Sequence, residues 1–168
     1  MMRLPTLNWR IMDRVLGPAL VGLIFMFIIW LGVLQPYMAR EGTLRALETE
    51  WQGKETPIWT STADMSAGQN ALRHFEKHGI GMGYKTAGDY IAAAHTLLHD
   101  PAHDTVCGTQ RDGDTVCYNK RLNRLAVMNK TGAPRTFFVP DPAIHQKASN
   151  DAYFCDQVSA PCPLNEAQ

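Results

Sequence analysis

VLGPALVGLIFMFIIWLGVLQPYMA, residues 15–39, runs for twenty-five residues without a charged side chain. An α-helix rises about 1.5 Å per residue, so about 20 apolar residues cross a hydrocarbon layer about 30 Å thick. Pro18 and Pro36 lie near the two ends of the stretch, where unpaired backbone groups are easiest to satisfy. The stretch therefore predicts a transmembrane helix.

Two other interpretations of this stretch were weighed. A buried core helix this uniformly apolar needs a large surrounding protein, and only about 130 residues follow it. A cleavable signal peptide usually has an apolar region of about 7–15 residues followed by a small-x-small site. Residues 35–39 offer no good site of that kind. We therefore favour an uncleaved anchor.

Flanking charges predict the orientation of the anchor. Arginines are slightly more numerous before the apolar stretch (Arg3, Arg10, Arg14) than after it (Arg40, Arg45). Basic residues favour the cytoplasmic side, which places the N-terminus inside and the following domain outside. All four cysteines follow the stretch: Cys107, Cys117, Cys155 and Cys162. An even set on the proposed exterior is typical of disulfides in an oxidising compartment.

The remaining chain has room for one domain of about 100 residues. We predict a cytoplasmic tail at 1–14, the transmembrane helix at 15–39, a juxtamembrane helix and linker at 40–65, and a folded domain at 66–168. The formal net charge is zero, so the overall charge favours neither nucleic acid nor an acidic partner. Local charge differs, because residues 111–135 have an excess of basic side chains. This excess indicates either a phosphate-binding surface or a solvated face balanced by nearby acids.

Periodicity predicts an α+β domain of two helices packed on one face of a four-stranded antiparallel sheet. Ser66 and Gln69 form a capping-box pattern at the start of the first helix, and Thr86 can cap the second. A period of two then takes over, with a hairpin-turn signal at residues 111–113. The predicted helices are 66–78 and 86–100, and the predicted strands are 105–109, 114–118, 122–128 and 135–139.

The tail after Pro140 is rich in proline, and we expect it to be irregular. Cys107 and Cys117 fall nearly opposite each other on adjacent strands, so a cross-strand disulfide is possible. Four cysteines allow three connectivities. We prefer 107–117 with 155–162, the alternative being reduced, structural cysteines. Without a short Cys-x-x-Cys motif zinc is less favoured, and we expect neither a metal nor another cofactor.

Several short motifs resemble the C-terminal toxin module of bacterial polymorphic (Rhs-type) toxins, of the barnase–EndoU–colicin–RelE group of small ribonuclease folds. The resemblance covers roughly residues 72–157. In chain order the motifs are HFEKHG (74–79), YIAAA (90–94), RDGDTVCY (111–118), NRLAV (123–127), GAPRTFFVP (132–140), PDPAIH (140–145) and Asn150 with DAYF (151–154). The resemblance implies a metal-independent endoribonuclease in which a base removes the 2′-hydroxyl proton and cations stabilise the phosphorane.

Six residues are candidates for this chemistry: His74, His78, Arg135, Thr136, Tyr118 and Arg111. His74 is the first candidate for acid or base because imidazole titrates near neutral pH, and His78 lies one helical turn further on. Arg135 can bind a phosphate through two hydrogen bonds. Thr136 can donate a hydrogen bond, and Tyr118 can stack on a base or act as an acid. Histidines four residues apart are otherwise often plain surface residues, as we interpret those at 95, 99 and 103.

Two hypotheses of function follow. The first is a membrane-anchored ribonuclease-like toxin domain in the bacterial inner membrane, single-pass, with its domain periplasmic, RNA as substrate and an immunity protein as partner. The second is a non-catalytic extracytoplasmic binding or assembly module of a secretion or conjugation complex. Activity on RNA without metal distinguishes the first from the second.

Overall fold

The computed structural model describes residues 9–159 and 161–165, and the side chains of residues 17–159 and 161–164. The chain divides between Thr43 and Leu44 into two units. Arg3, which contributes to the predicted orientation, lies outside the described residues.

A long helical segment, apolar over residues 15–39, lies near the N-terminus. It comprises α1 (Trp9–Ile29), a π-helical turn (Trp30–Leu34) and α2 (Gln35–Trp51). The π turn ends two residues before Pro36, which lacks an N–H and would clash with the carbonyl four residues earlier, at Gly32 within the π turn. The widened turn accommodates the proline. By length and composition the segment can cross a membrane or serve as a signal sequence. Helical structure begins at Trp9, within residues that the sequence assigns to a tail.

The sheet is an antiparallel meander with the strand order β1-β2-β3-β4. Its strands are β1 (Thr105–Thr109), β2 (Thr115–Asn119), β3 (Arg124–Met128) and β4 (Pro134–Phe138). Gly113 and Gly132 have φ values of 88° and 81° in the turns before β2 and β4, a conformation that glycine adopts without cost. The α+β fold class is confirmed, and each predicted strand is present within two residues of its predicted limits.

One face of the sheet packs against α3 (Ala67–His74) and α4 (Ala87–His99). Ser66 caps α3 through the predicted capping box, and Thr86 caps α4. The Tyr90 hydroxyl donates a hydrogen bond to the Phe137 carbonyl, which fixes α4 on β4. The core on this face also contains residues that the sequence assigns to the juxtamembrane helix and the linker: Leu44, Leu47, Ile58 and Trp59. The compact unit therefore begins at Leu44, well before residue 66.

The other face of the sheet is covered by the C-terminal segment. Two short helices, α5 (Pro142–His145) and α6 (Asn150–Gln157), interrupt a tail that the sequence predicts to be irregular. Asp141 and Ser149 cap them, and Phe154 and Val158 pack on the sheet. The prediction of an irregular tail was wrong because short helices have little periodic signal. Only α6 has a fully buried residue, Phe154, and the sheet beneath it provides that burial.

Both preferred disulfides are present. Cys107 pairs with Cys117 across β1 and β2, where the two residues are direct partners in the strand register. Cys155 pairs with Cys162 and closes the segment after α6. No cysteine among the described residues is free.

The outer edge of β4 is covered by the segment that precedes α3. The Thr60 N–H donates to the Pro134 carbonyl oxygen at 2.8 Å. The Trp59 indole Nε1–H donates to the Arg135 carbonyl oxygen at 3.2 Å. These bonds occupy β4 groups that an exposed edge strand would offer to other chains.

A π-helical turn, Phe75–Gly79, follows α3 directly. We expect Gly79→Ala to destabilise the domain by about 1–3 kcal/mol, as overpacking of a core does. A Cβ atom at residue 79 would lie 2.5 Å from a ring carbon of Phe75 and 2.8 Å from one of Tyr90. Chemical denaturation followed by tryptophan fluorescence measures the change. Gly81→Ala is the matched control because its nearest neighbour would be 3.6 Å away, and an equal loss in both variants would contradict the prediction.

Candidate functional site

His74 and His78 lie next to each other where α3 passes into the π turn. Their ring centroids are 5.8 Å apart, and both side chains are half-buried. The His74 ring lies 5.3 Å from the ring of Trp59. Its buried Nδ1 atom has no hydrogen-bond partner among the described residues. A buried imidazole nitrogen without a partner is uncommon and marks a group that can accept or donate a proton.

His74 and Arg135 line the same open cleft, which has a volume of about 680 Å³. The cleft lies between α3, the covering segment before it, and the β3–β4 side of the sheet. Its lining is rich in polar side chains: Thr60, Ser61, Thr62, Asn70, Arg73, Asn129 and Thr131. Trp59 forms an apolar wall. The structure thus brings together the strongest sequence candidate for proton transfer and the strongest one for phosphate binding.

The electrostatic environment keeps His74 neutral at ordinary pH. Burial, followed by the neighbouring charges of His78, Lys77 and Arg73, lowers the pKa of His74 to about 4. Burial, followed by the charge of Lys77, also lowers the pKa of His78. Both rings are therefore uncharged near neutral pH and can act as proton acceptors.

Arg135 is half-exposed but already paired. Its guanidinium Nη1 bonds the carboxylate of the buried Asp114 and lies 3.7 Å from Asp112 Oδ2. Two other basic residues of the 111–135 segment are paired as well, Lys120 with Asp151 and Arg121 with Asp104. Of the two interpretations of this charge excess, the structure favours a face balanced by nearby acids.

The other four candidates do not line the cleft: His78, which lies beside His74, and Tyr118, Thr136 and Arg111. Tyr118 is 3% exposed, stacks on Phe154 and donates a hydrogen bond to Asn123, so it is a core residue that cannot stack on a base. Thr136 follows Arg135 on β4, and successive strand residues point to opposite faces. Arg111 is exposed in the β1–β2 turn. Burial argues against base stacking by Tyr118, whereas its role as an acid and the roles of Thr136 and Arg111 stay predictions.

The sequence did not predict several of the residues that line the cleft. Arg73 precedes His74 and adds a second cation to the cleft. Asn70 is held by a hydrogen bond from its Nδ2 to the Thr60 carbonyl oxygen at 2.8 Å. The Asn129 Oδ1 atom accepts bonds from the Thr131 backbone and hydroxyl, which shapes the turn after β3. Only Arg73 carried a local signal, as a basic neighbour of His74.

Two further histidines lie on α4 and contact neighbouring parts of the domain. His95 is half-buried, packs at 4.6 Å from the Trp51 ring and hydrogen-bonds the Ile58 carbonyl oxygen at 3.1 Å. The His99 ring hydrogen-bonds the Gly132 carbonyl oxygen at 2.9 Å. The interpretation of His95 as a surface residue was therefore wrong. Within the described part of the chain, no group of three His, Cys, Asp or Glu side chains could hold a metal.

A second set of aromatic contacts continues from His78 along the edge of β4. The Phe138 ring lies 5.8 Å from both His78 and His145, and His145 stacks on Tyr153 at 4.0 Å. The structure therefore brings His145 of α5 into the neighbourhood of the His74–His78 pair.

Comparisons with known proteins assign the chain to no family. No model of a known protein family matches the chain, and no curated protein matches it.

The lowered pKa of His74 predicts a pH-dependent stability. Its folded pKa of about 4 lies below the ordinary 6.5, so the unfolded chain binds more protons between these values. The contribution is fully present above pH 6.5 and declines as pH falls towards about 4. We expect the free energy of unfolding to fall over this window, and to fall less steeply in His74→Gln. Denaturation at a series of pH values measures it; identical slopes in both proteins would contradict the assignment.

Proposed function

We propose that the domain Leu44–Gln168 is a metal-independent endoribonuclease. The observation that carries the proposal is the cleft that His74 shares with Arg73 and Arg135. It combines a neutral imidazole with two guanidinium groups, the groups that transfer a proton and stabilise a phosphorane. The resemblance of the surrounding motifs to ribonuclease toxin modules supports the same reaction.

In the proposed reaction, His74 accepts the proton of a ribose 2′-hydroxyl. The 2′-oxygen attacks the adjacent phosphorus, the bond from phosphorus to the 5′-oxygen breaks, and a 2′,3′-cyclic phosphate and a 5′-hydroxyl form. A second group donates a proton to the leaving 5′-oxygen, and His78 is the imidazole next to His74. His78 is neutral in the free protein, so it acts as the acid only after the negative charge of the bound phosphodiester has raised its pKa and it has taken up a proton from water. The guanidinium groups of Arg73 and Arg135 stabilise the added negative charge.

Substrate binding raises the pKa of His74 and so makes it a stronger base. A phosphodiester in the cleft brings negative charge close to His74, and a nearby opposite charge raises the pKa of an imidazole. The same phosphate competes with Asp114 for the Arg135 guanidinium. Before substrate binds, the ion pair with Asp114 holds the Arg135 side chain at the cleft.

The apolar stretch at residues 15–39 supports a location of the protein in a membrane. We place it as a single span of a bacterial inner membrane with the N-terminus in the cytoplasm and the domain in the periplasm. Two disulfides suit that oxidising side. A periplasmic domain meets no RNA in the cell that makes it, so the proposal includes delivery to another cell and an immunity protein in the producer.

The second candidate is a non-catalytic assembly module on the periplasmic face of an envelope complex. The pairing of Lys120, Arg121 and Arg135 with acids favours it, because RNA-binding surfaces usually present unpaired cations.

Expression in a cytoplasm distinguishes the two candidates. Leu44–Gln168 is produced in a bacterial strain with an oxidising cytoplasm, as the wild type and as His74→Ala. We expect growth arrest and RNA degradation with the wild type only. Soluble, disulfide-bonded wild-type protein that leaves growth and RNA intact would favour the assembly module.

A further inference from the structure

A second cavity lies on the α4 side of the sheet, away from the cleft of His74. Its volume is about 450 Å³, within the range of about 300–1,000 Å³ that small-molecule sites occupy. Ala93 and Leu97 of α4 form one wall, and Phe137 of β4 and Tyr84 form the other. The Tyr84 and Phe137 ring centroids are 6.1 Å apart and tilted by 55°. The body of the cavity is therefore apolar and partly aromatic.

The buried polar group in the lining is already satisfied. Asn119 is 1% exposed, and its Nδ2 donates to Asp104 Oδ1 and Thr105 Oγ1 at 2.8 and 2.9 Å. Its Oδ1 accepts the Leu122 backbone N–H at 2.8 Å. A ligand thus needs no polar group at this wall. Leu122, 52% exposed, lines the cavity and offers an apolar rim.

Arg124 supplies a charge at the cavity. Its side chain is half-buried, and its hydrogen bond to the Met82 carbonyl oxygen is long, at 3.5 Å. No carboxylate in the described part of the chain forms an ion pair with it. Asp100, the exposed residue that ends α4, also lines the cavity but is not paired with Arg124. A half-buried guanidinium without a carboxylate partner is a binding group for an anion.

We propose that this cavity binds a small amphipathic organic anion, with an aromatic or branched apolar body between Tyr84, Leu97 and Phe137 and one carboxylate on Arg124. The body matches the apolar walls, and the carboxylate completes the hydrogen bonding of the guanidinium. Asp100 opposes a second negative charge, so a singly charged ligand fits better than a dianion. The site is independent of RNA cleavage, because none of its lining residues lines the His74 cleft.

The test compares 4-(trifluoromethyl)benzoate with its neutral isostere 4-(trifluoromethyl)benzamide by fluorine NMR. Full-length protein in lipid nanodiscs is titrated, with empty nanodiscs as the blank. We expect the benzoate to bind about tenfold more tightly than the benzamide, as a charge-assisted contact at a partly exposed site gives. Arg124→Gln should remove that preference, Arg124→Lys should keep part of it, and Asp100→Asn should strengthen benzoate binding.

Circular dichroism confirms that each variant is folded. Binding of neither probe above the empty-nanodisc blank by folded wild-type protein would overturn the proposal. So would an unchanged benzoate preference in Arg124→Gln, or weaker benzoate binding in Asp100→Asn. Ala93→Phe, which fills the cavity, should abolish binding of both probes by a protein that circular dichroism shows to be folded, and full binding by this folded variant would overturn the proposal.

Discussion

His74→Ala is expected to lower the rate of RNA cleavage by at least about a hundredfold, the lower end of what positioned acid–base groups contribute. The imidazole is the proton acceptor that lies in the cleft beside two guanidinium groups. No described residue forms a hydrogen bond with its Nδ1 atom, so that atom is free to take part in proton transfer. Single-turnover cleavage of a fluorescent RNA by full-length protein in detergent measures the effect.

His103→Ala is the matched control because His103 is an exposed histidine outside the cleft. It should cleave at the wild-type rate. Equal activity in the wild type and His74→Ala would remove His74 from the reaction. The denaturation midpoint of each variant is also measured, because it distinguishes a loss of catalysis from a loss of folded structure.

Phe154→Ala is expected to destabilise the domain by about 3–5 kcal/mol, the usual cost of removing a large buried side chain. Phe154 of α6 is fully buried and stacks on Tyr118 at 5.9 Å between ring centroids. Its loss opens the core between the C-terminal segment and the sheet. Equilibrium denaturation of the full-length protein measures the change in the free energy of unfolding.

Ile144→Ala provides the control for this prediction. Ile144 lies in the same C-terminal segment but is 75% exposed, so its truncation should change stability by less than about 0.5 kcal/mol. A small effect of Phe154→Ala would show that the C-terminal segment does not cover the second face of the sheet.

The parts of the fold that were predictable have local signals. The capping box of α3, the glycine turns and the period-two strands are each encoded within a few neighbouring residues. The sequence of β2 also indicates that the second face of the sheet is buried. Val116 and Tyr118 are apolar on one face of β2 while Cys117 is apolar on the other, which indicates a strand buried on both sides.

The candidate site was only partly predictable because it depends on distant pairings. His74 and His78 meet through a local helical spacing, whereas the shared cleft of His74 and Arg135 follows from packing α3 against the sheet. The pairing of Arg135 with Asp114 likewise depends on tertiary packing. Strand alternation, however, already places Arg135 and Thr136 on opposite faces, so one cleft could not contain both.

The most direct test of the proposed function is cleavage of RNA by the purified full-length protein in the presence of excess EDTA. The account predicts fragments that end in a 2′,3′-cyclic phosphate, formed by the wild type and by His103→Ala but not by His74→Ala. Intact RNA after incubation with folded, disulfide-bonded protein, or cleavage that stops when metal is removed, would contradict it.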